Sequence, residues 1–302
     1  MHIAPLFISA ALALAPPAPP KKAPPTPSSE KGSASPAPAG SEVIWARTFD
    51  EAAASAKKMP EGRILIEFTD ARCGDCRRLE SLVIPATSFY ALTRDKVPVQ
   101  VDRTTTEGLK LAQRLGVREL PAWVIVTPDL LVCGIQVGST NQSGWFSTFA
   151  HSEESWAAYR KKVETEKKEP ANEDLVFDIA QETFKRGGDA AAEKRFRKLA
   201  AGAANPTIRE QSLAYLASIE LDAGRIDDAS RDLDHLLATA KDPTLRERAE
   251  LRRADVDIAR GQKDAAARRL AAFKKEHPAS PLVKEADALL AELKKRGFAA
   301  ED

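Results

Sequence analysis

Apolar and polar positions along this chain follow two successive patterns. Between residues 41 and 152, short apolar runs of strand length alternate with stretches of helical spacing. The run over 64–68, Ile-Leu-Ile-Glu-Phe, is short and β-rich, which predicts a buried strand. Residues 97–101 alternate as a second strand, and runs at 122–127 and 131–137, joined through Pro128-Asp129, predict a hairpin. A short first strand is expected over 43–46. Thr48-Phe49-Asp50-Glu51 is a capping-box pattern, opening a helix that reaches Met59. After Cys76, Leu79, Leu82 and Val83 bring helical spacing as far as Pro85, which must kink or end that helix. Residues 107–115 read as a helix closed by Gly116, and helix returns from Phe146. The order β-α-β-α-β-α-β-β-α predicts an α/β domain over 41–165, one sheet with helices on both faces. The charged stretch 161–170, ending in proline, places a domain boundary there.

From residue 171 the strand signals vanish and the chain repeats itself. Gly187, Gly224 and Gly261 are evenly spaced (224 − 187 = 261 − 224 = 37). In the same register stand Ala180, Ala217 and Ala254, then Ala192, Ala229 and Ala266. Large apolar residues follow: Phe196, Leu233 and Leu270, then Leu199, Leu236 and Phe273. Pro206 and Pro243 close two units at this interval, and Pro278 closes a third slightly early. Glycine ends a helix, small alanines let two helices approach, and larger residues fill the groove between units. These positions resemble tetratricopeptide repeats, with a period longer than that family's usual spacing. The resemblance implies an all-α helical-repeat domain over 171–302 that binds a protein or peptide partner. Residues 280–296 would form its capping helix. An ordinary helical bundle is the plainer alternative.

The 302 residues suit about two domains. With 45 Lys and Arg against 44 Asp and Glu, the net charge of +1 gives no attraction to nucleic acid or to a membrane surface. The N-terminal stretch 1–15 is apolar, carries Ala-x-Ala steps at Ala11, Ala13 and Ala15, and is too short to span a bilayer. It reads as a secretory signal, although the usual basic residues are missing. Export to a periplasm or the exterior is expected, a disordered tail on a cytoplasmic protein being the alternative. Residues 16–40, rich in Pro, Ala, Ser and Lys, cannot bury a core and predict an extended tether.

Three cysteines are too few for a disulfide scaffold, but two of them, Cys73 and Cys76, stand two residues apart where the strand over 64–68 hands over to a helix. Backbone N–H groups and the positive end of the helix dipole favour a thiolate at that point, so Cys73 is the expected nucleophile and Cys76 the resolving thiol. Arg72, Arg77 and Arg78 add positive charge nearby, whereas Asp75 opposes ionisation of Cys76. Half of a zinc site would share this spacing, but zinc wants about four ligands. The only other cysteine is Cys133, inside an apolar run, where a lone thiol is most often a small buried hydrophobe. His2, His151, His235 and His277 are scattered singly.

At these residues the chain resembles the thioredoxin superfamily. The resemblance rests on Cys73-Gly74-Asp75-Cys76 after a buried strand, on Glu67 six residues before Cys73, and on the segment Gly116-Val117-Arg118-Glu119-Leu120-Pro121-Ala122-Trp123. It implies a thioredoxin-like fold, a buried acid at Glu67 that assists proton transfer at the resolving cysteine, and a cis-proline at Pro121. Leu120 and Pro121 would then shape the groove where client backbone lies. Arg72 replaces the family's usual tryptophan and Asp75 the proline or histidine common between the cysteines, which bears on the redox potential. The function expected is thiol-disulfide exchange in protein clients, as reductase or isomerase, with a redox partner protein and neither metal nor organic cofactor. The alternative is a non-catalytic adaptor, in which the repeats carry the biology and the first domain is structural or senses oxidation.

Overall fold

The computed structural model of the chain describes residues 43–295. The expected signal and tether over 1–15 and 16–40, and residue 296 of the expected capping helix, lie outside the described residues. The chain divides into two compact units between Ala191 and Ala192.

The first unit is built on four strands: β1 (Arg63–Thr69), β2 (Lys96–Asp102), β3 (Ala122–Val126) and β4 (Val132–Val137). They form one sheet in the order β2-β1-β3-β4. β1 and β2 run parallel, and β1 with β3 and β3 with β4 run antiparallel. Between β1 and β2 lie α2 (Gly74–Val83) and α3 (Thr87–Thr93); α1 (Phe49–Ala56) precedes β1, and α4 (Thr106–Arg114) joins β2 to β3. α5 (Gln142–Lys168) and α6 (Glu173–Lys185) follow the sheet.

Alternation along β1 sorts the core into two layers, because successive strand side chains point to opposite faces. Ile64, Ile66 and Phe68 pack with Val99, Val124, and α1 and α4 residues such as Ala52 and Ala112. Leu65 on the other face meets Leu79, Val83, Phe89, Trp123, Trp145 and Phe149 from α2, α3, β3 and α5. Aromatic rings dominate this second layer, with Phe89 and Trp123 centred 5.9 Å apart and Trp123 and Trp145 5.3 Å apart, both edge-on. α5 crosses β4 closely at Gly134, where a Cβ would come within 2.6 Å of Ser152 Cβ. Only glycine fits that crossing.

Several elements differ from expectation in ways that have local causes. The strand over 43–46 reduces to one parallel bridge, Ala46 to Val99, because Trp45 turns its ring onto Phe89 while Ile44 stays exposed. Pro85 ends α2, and the chain re-enters helix as α3, which 85–95 did not advertise. The capping box is half formed: Thr48 Oγ1 accepts the Glu51 N–H at 3.2 Å, but the Glu51 carboxylate takes the N–H of Arg47, not that of Thr48. α5 starts at Gln142, capped by the Asn141 side chain, earlier than Phe146. The stretch 161–170, where a domain boundary is expected, is mostly the last turns of α5, the break before α6 falls at 169–172, and the compact units part only after Ala191. α6 therefore belongs with the sheet, its Ile179 sharing the core of Trp145 and Trp156.

The second unit is helical throughout among its described residues. α7 (Asp189–Gly202) spans the division, and α8 (Pro206–Asp222), α9 (Ile226–Thr239), α10 (Pro243–Ala259), α11 (Lys263–Glu276) and α12 (Val283–Lys295) follow. The 37-residue register is visible in the backbone. Gly187, Gly224 and Gly261 sit at φ of 77°, 73° and 76°, in the left-handed region that closes a helix. The residue after each glycine donates to the carbonyl of Thr183, Glu220 or Asp257 at 2.8–3.0 Å, an equivalent bond in each repeat. Pro206 and Pro243 open α8 and α10, rather than closing the units before them, with Asn205 and Asp242 as N-caps. The register alanines and larger apolar residues are all buried.

Candidate redox site

β1 ends at Thr69, and a four-residue turn delivers Cys73 to the N-cap of α2. Short bonds fix that turn. Asp70 accepts the N–H of Arg72 through its side chain and that of Cys73 through its carbonyl, each at 2.8 Å, and Arg77 Nη1 donates to the Ala71 carbonyl at 2.7 Å. The Arg72 guanidinium pairs with Asp70 at 3.2 Å and holds that carboxyl below its ordinary range. Much of the charge that Arg72 was expected to lend Cys73 is therefore engaged by Asp70.

Cys73 and Cys76 are joined as a disulfide. Cys73 is half-buried, while Cys76 has no exposed surface. Cys73 Sγ accepts the N–H of Cys76 at 3.1 Å. A thiolate on Cys73 in the reduced protein would receive the same N–H together with the positive end of the α2 dipole.

Glu67 lies on the α2 side of the sheet, two residues beyond Leu65 and opposite Trp123. It is 1% exposed. Gln100, its register partner on β2, donates Nε2–H to Glu67 Oε2 at 2.9 Å, and Oε1 has no hydrogen-bond partner. Burial pushes this carboxyl up to about 9; the Gln100 bond opposes the shift, and the neighbouring carboxyl of Glu80 adds to it. Glu67 is thus held neutral around neutral pH. Gln100 and Glu80 are the groups that sequence reading missed. The signal for Gln100 was a polar side chain between Val99 and Val101, and for Glu80 its place one helical turn after Cys76.

The Leu120–Pro121 peptide bond is cis. Because Phe68 pairs with Ala122, Pro121 stands at the end of the sheet where β1 leads into Cys73. Pro121 is buried, with its carbonyl taken by the Gly138 N–H at 2.8 Å, and Leu120 is half-buried. Cys133, by contrast, sits within the aromatic core, its thiol pushed up to about 12 by burial. Among the described residues, the side chains that could hold a metal are Glu250, Glu276 and His277, far along the chain from the cysteines, with ligand atoms within 4.8 Å of one another.

The first unit is a small mixed sheet covered by helices that bears a CxxC-spaced disulfide at a helix N-terminus, and a helical unit follows it in the chain. No family model matches the sequence, and no curated protein matches it. Among solved structures, the chain is similar to one described as "DsbH Oxidoreductase", with a TM-score of 0.33 and 16% identity, over 41% of this chain and 94% of that one. Among the described residues, no helix is long and apolar enough to cross a membrane.

Proposed function

We propose that this chain is a thiol-disulfide oxidoreductase of exported proteins, with a thioredoxin-like first domain and a tetratricopeptide-like array. The observation that carries the reading is the asymmetric pair at the start of α2, one sulfur reachable and the other buried on the Glu67 side of the helix. In the reducing direction, the Cys73 thiolate attacks a client disulfide. A Cys73–client S–S bond forms and the client's other sulfur leaves as a thiolate. Cys76 gives up its proton and attacks Cys73 Sγ, closing the Cys73–Cys76 disulfide and releasing the second client thiolate. The client gains two electrons, and a partner thiol protein must return them. Glu67 handles the proton, and Leu120 and Pro121 border the groove for client backbone. The helical array recruits the client or the electron donor and raises its local concentration.

The potential of the Cys73 and Cys76 pair, read by thiol alkylation in glutathione or dithiothreitol buffers, tests this reading. A value near thioredoxin's, about −270 mV, makes the protein a reductase, and one toward about −120 mV makes it an oxidant or isomerase. A pair that forms no disulfide at any poise would leave the adaptor as the better account.

A further inference from the structure

We infer that the last repeat binds a divalent transition cation of the zinc class, held by Glu250 of α10 and by Glu276 and His277 at the end of α11. One ligand atom from each of the three lies within 4.8 Å of the other two, close enough for all of them to converge on one ion. His277 is fixed by its backbone and its ring. As the C-cap of α11 it donates its N–H to the Phe273 carbonyl at 2.8 Å, and its imidazole lies 4.9 Å from the ring of the buried Phe273. Its two ring nitrogens face different carboxylates. Nε2 stands 2.8 Å from Glu250 Oε2, and Nδ1 stands 3.6 Å from Oε1 of Glu247, one turn before Glu250 on α10. A metal-binding imidazole is oriented in this way, with one nitrogen toward the ion and the other toward a carboxylate. Arg246 Nε reaches only the other oxygen of Glu250, Oε1, at 3.5 Å.

The repeat itself does not call for these residues. One repeat earlier the positions of Glu250 and His277 hold Leu213 and Ala240 (250 − 37 = 213; 277 − 37 = 240), which share an apolar core. In the last repeat that apolar pair becomes a carboxylate against an imidazole, with Glu247 and Glu276 beside it. Three carboxylates gathered about one imidazole repel one another, and a bound cation removes that repulsion. One imidazole nitrogen among carboxylate oxygens suits zinc or a neighbouring transition ion, whereas calcium and magnesium take oxygen ligands. Three protein ligands leave a further position on the ion to water. Binding would tie the middle of α10 to the end of α11.

The test uses the full chain without an affinity tag, its Cys73–Cys76 disulfide closed so that no thiolate there takes metal. Zn²⁺ is the probe in titration calorimetry, and Co²⁺ the probe in absorption spectroscopy. The expected result is one Zn²⁺ per chain, bound about 10-fold or more tighter than Mg²⁺, and Co²⁺ absorption bands that Zn²⁺ abolishes. Amide protection of α10 and α11 should rise with Zn²⁺. Glu276→Gln, a change at an exposed side chain, should weaken Zn²⁺ binding about 10-fold or more. The double variant Glu250→Leu with His277→Ala restores the pair of the preceding repeat, so it should fold without metal and bind none. Zn²⁺ binding that is unaltered in Glu276→Gln, retained in the double variant, or absent from the parent chain overturns the site. Equal affinity for Zn²⁺ and Mg²⁺ overturns the zinc class.

Discussion

Asp257, buried on α10, accepts a hydrogen bond from Arg269 Nε on α11 at 2.9 Å. One repeat earlier the same two positions hold Glu220 and Asp232 (257 − 37 = 220; 269 − 37 = 232), so a carboxyl meets a carboxyl. Arg197 of α7 reaches Glu220 Oε1 at 2.8 Å, but Glu220 Oε2 and Asp232 Oδ2 are both buried without a hydrogen-bond partner. Glu193 and Arg225, paired with each other at 2.7 Å, lie around Arg197, and the charges of Asp228 and Arg231 also act on the pair.

Both carboxyls are raised, first by burial. Arg197 opposes the shift at each of them, and for Glu220 the charge of Asp232 adds to it. A carboxyl raised in the folded state lends stability that is full below its unfolded pKa and is lost as pH rises through the folded value. Asp232→Asn places an amide donor beside Glu220 and should stabilise this unit by about 1 kcal/mol near neutral pH, with no gain near about pH 4. Amide exchange of α8 and α9 in the full chain checks it. Equal protection at both pH values would show that the two carboxyls do not compete.

The cysteines should separate by role. Cys76→Ser should accumulate mixed disulfides with client proteins, seen as reducible bands on non-reducing gels. Cys73→Ser should accumulate none and lose disulfide reduction to background. The difference follows from exposure, since only Cys73 is open to a partner sulfur. Trapping through Cys76 alone would reverse the assignment.

Glu67 should cost stability where it serves chemistry. Its carboxyl, raised to about 9, contributes stability that is complete below the ordinary carboxylate range and is lost as pH rises through about 9. Glu67→Gln keeps the shape and the Gln100 contact without an ionisable group. It should stabilise the sheet unit by about 2 kcal/mol near neutral pH and by nothing near about pH 4, while slowing resolution. All 4 tryptophans of the chain, Trp45, Trp123, Trp145 and Trp156, lie in that unit, so their fluorescence in urea titrations reports on it alone. A variant less stable at both pH values would mean that the carboxyl is a structural hydrogen-bonding group.

What the sequence made legible was local. The run 64–68, the cysteines after it, the hairpin and the 37-residue spacing are each set by neighbouring side chains or one turn's geometry, and each stands where expected. What it hid depends on partners distant in sequence. Residues 43–46 alternate like a strand, yet Trp45 serves the aromatic core better than a ladder does. α6 carries the register alanine Ala180, which points to the repeats, but its Ile179 and Thr183 are buried beside Tyr159 of α5. Glu80 looks like any helical acid until the fold lets its charge act on the buried carboxyl of Glu67. The helical periodicity says that Glu80 shares a side with Cys76, and only the register of the sheet says what lies opposite.

α6 should prove essential to the sheet unit, and Arg186 is the reason. Its carbonyl accepts the Val132 N–H at 2.8 Å, and its Nη1 donates to the Val132 carbonyl at 3.0 Å, so β4 is bonded to the end of α6 through both backbone and side chain. Nη2 donates to Ser155 Oγ at 2.9 Å and pairs with Glu182 at 2.8 Å. The guanidinium also lies over the rings of Trp156 and Tyr159, 5.5 and 5.1 Å from their centroids. With its side chain 11% exposed, Arg186 is screened from water, and its removal leaves Glu182 and the carbonyls of Val132, Cys133 and Ser155 short of a donor. Arg186→Ala should cost about 3 kcal/mol. Arg186→Lys should recover only part, since an ammonium keeps the charge but loses the planar fork and the ring stacking. For the same reason a fragment of residues 43–191 should unfold at a higher urea concentration than one of 43–170, by tryptophan fluorescence. Equal midpoints for the two fragments would place the true edge of this domain at the gap after α5 and make Arg186 a surface ornament of the helices that follow.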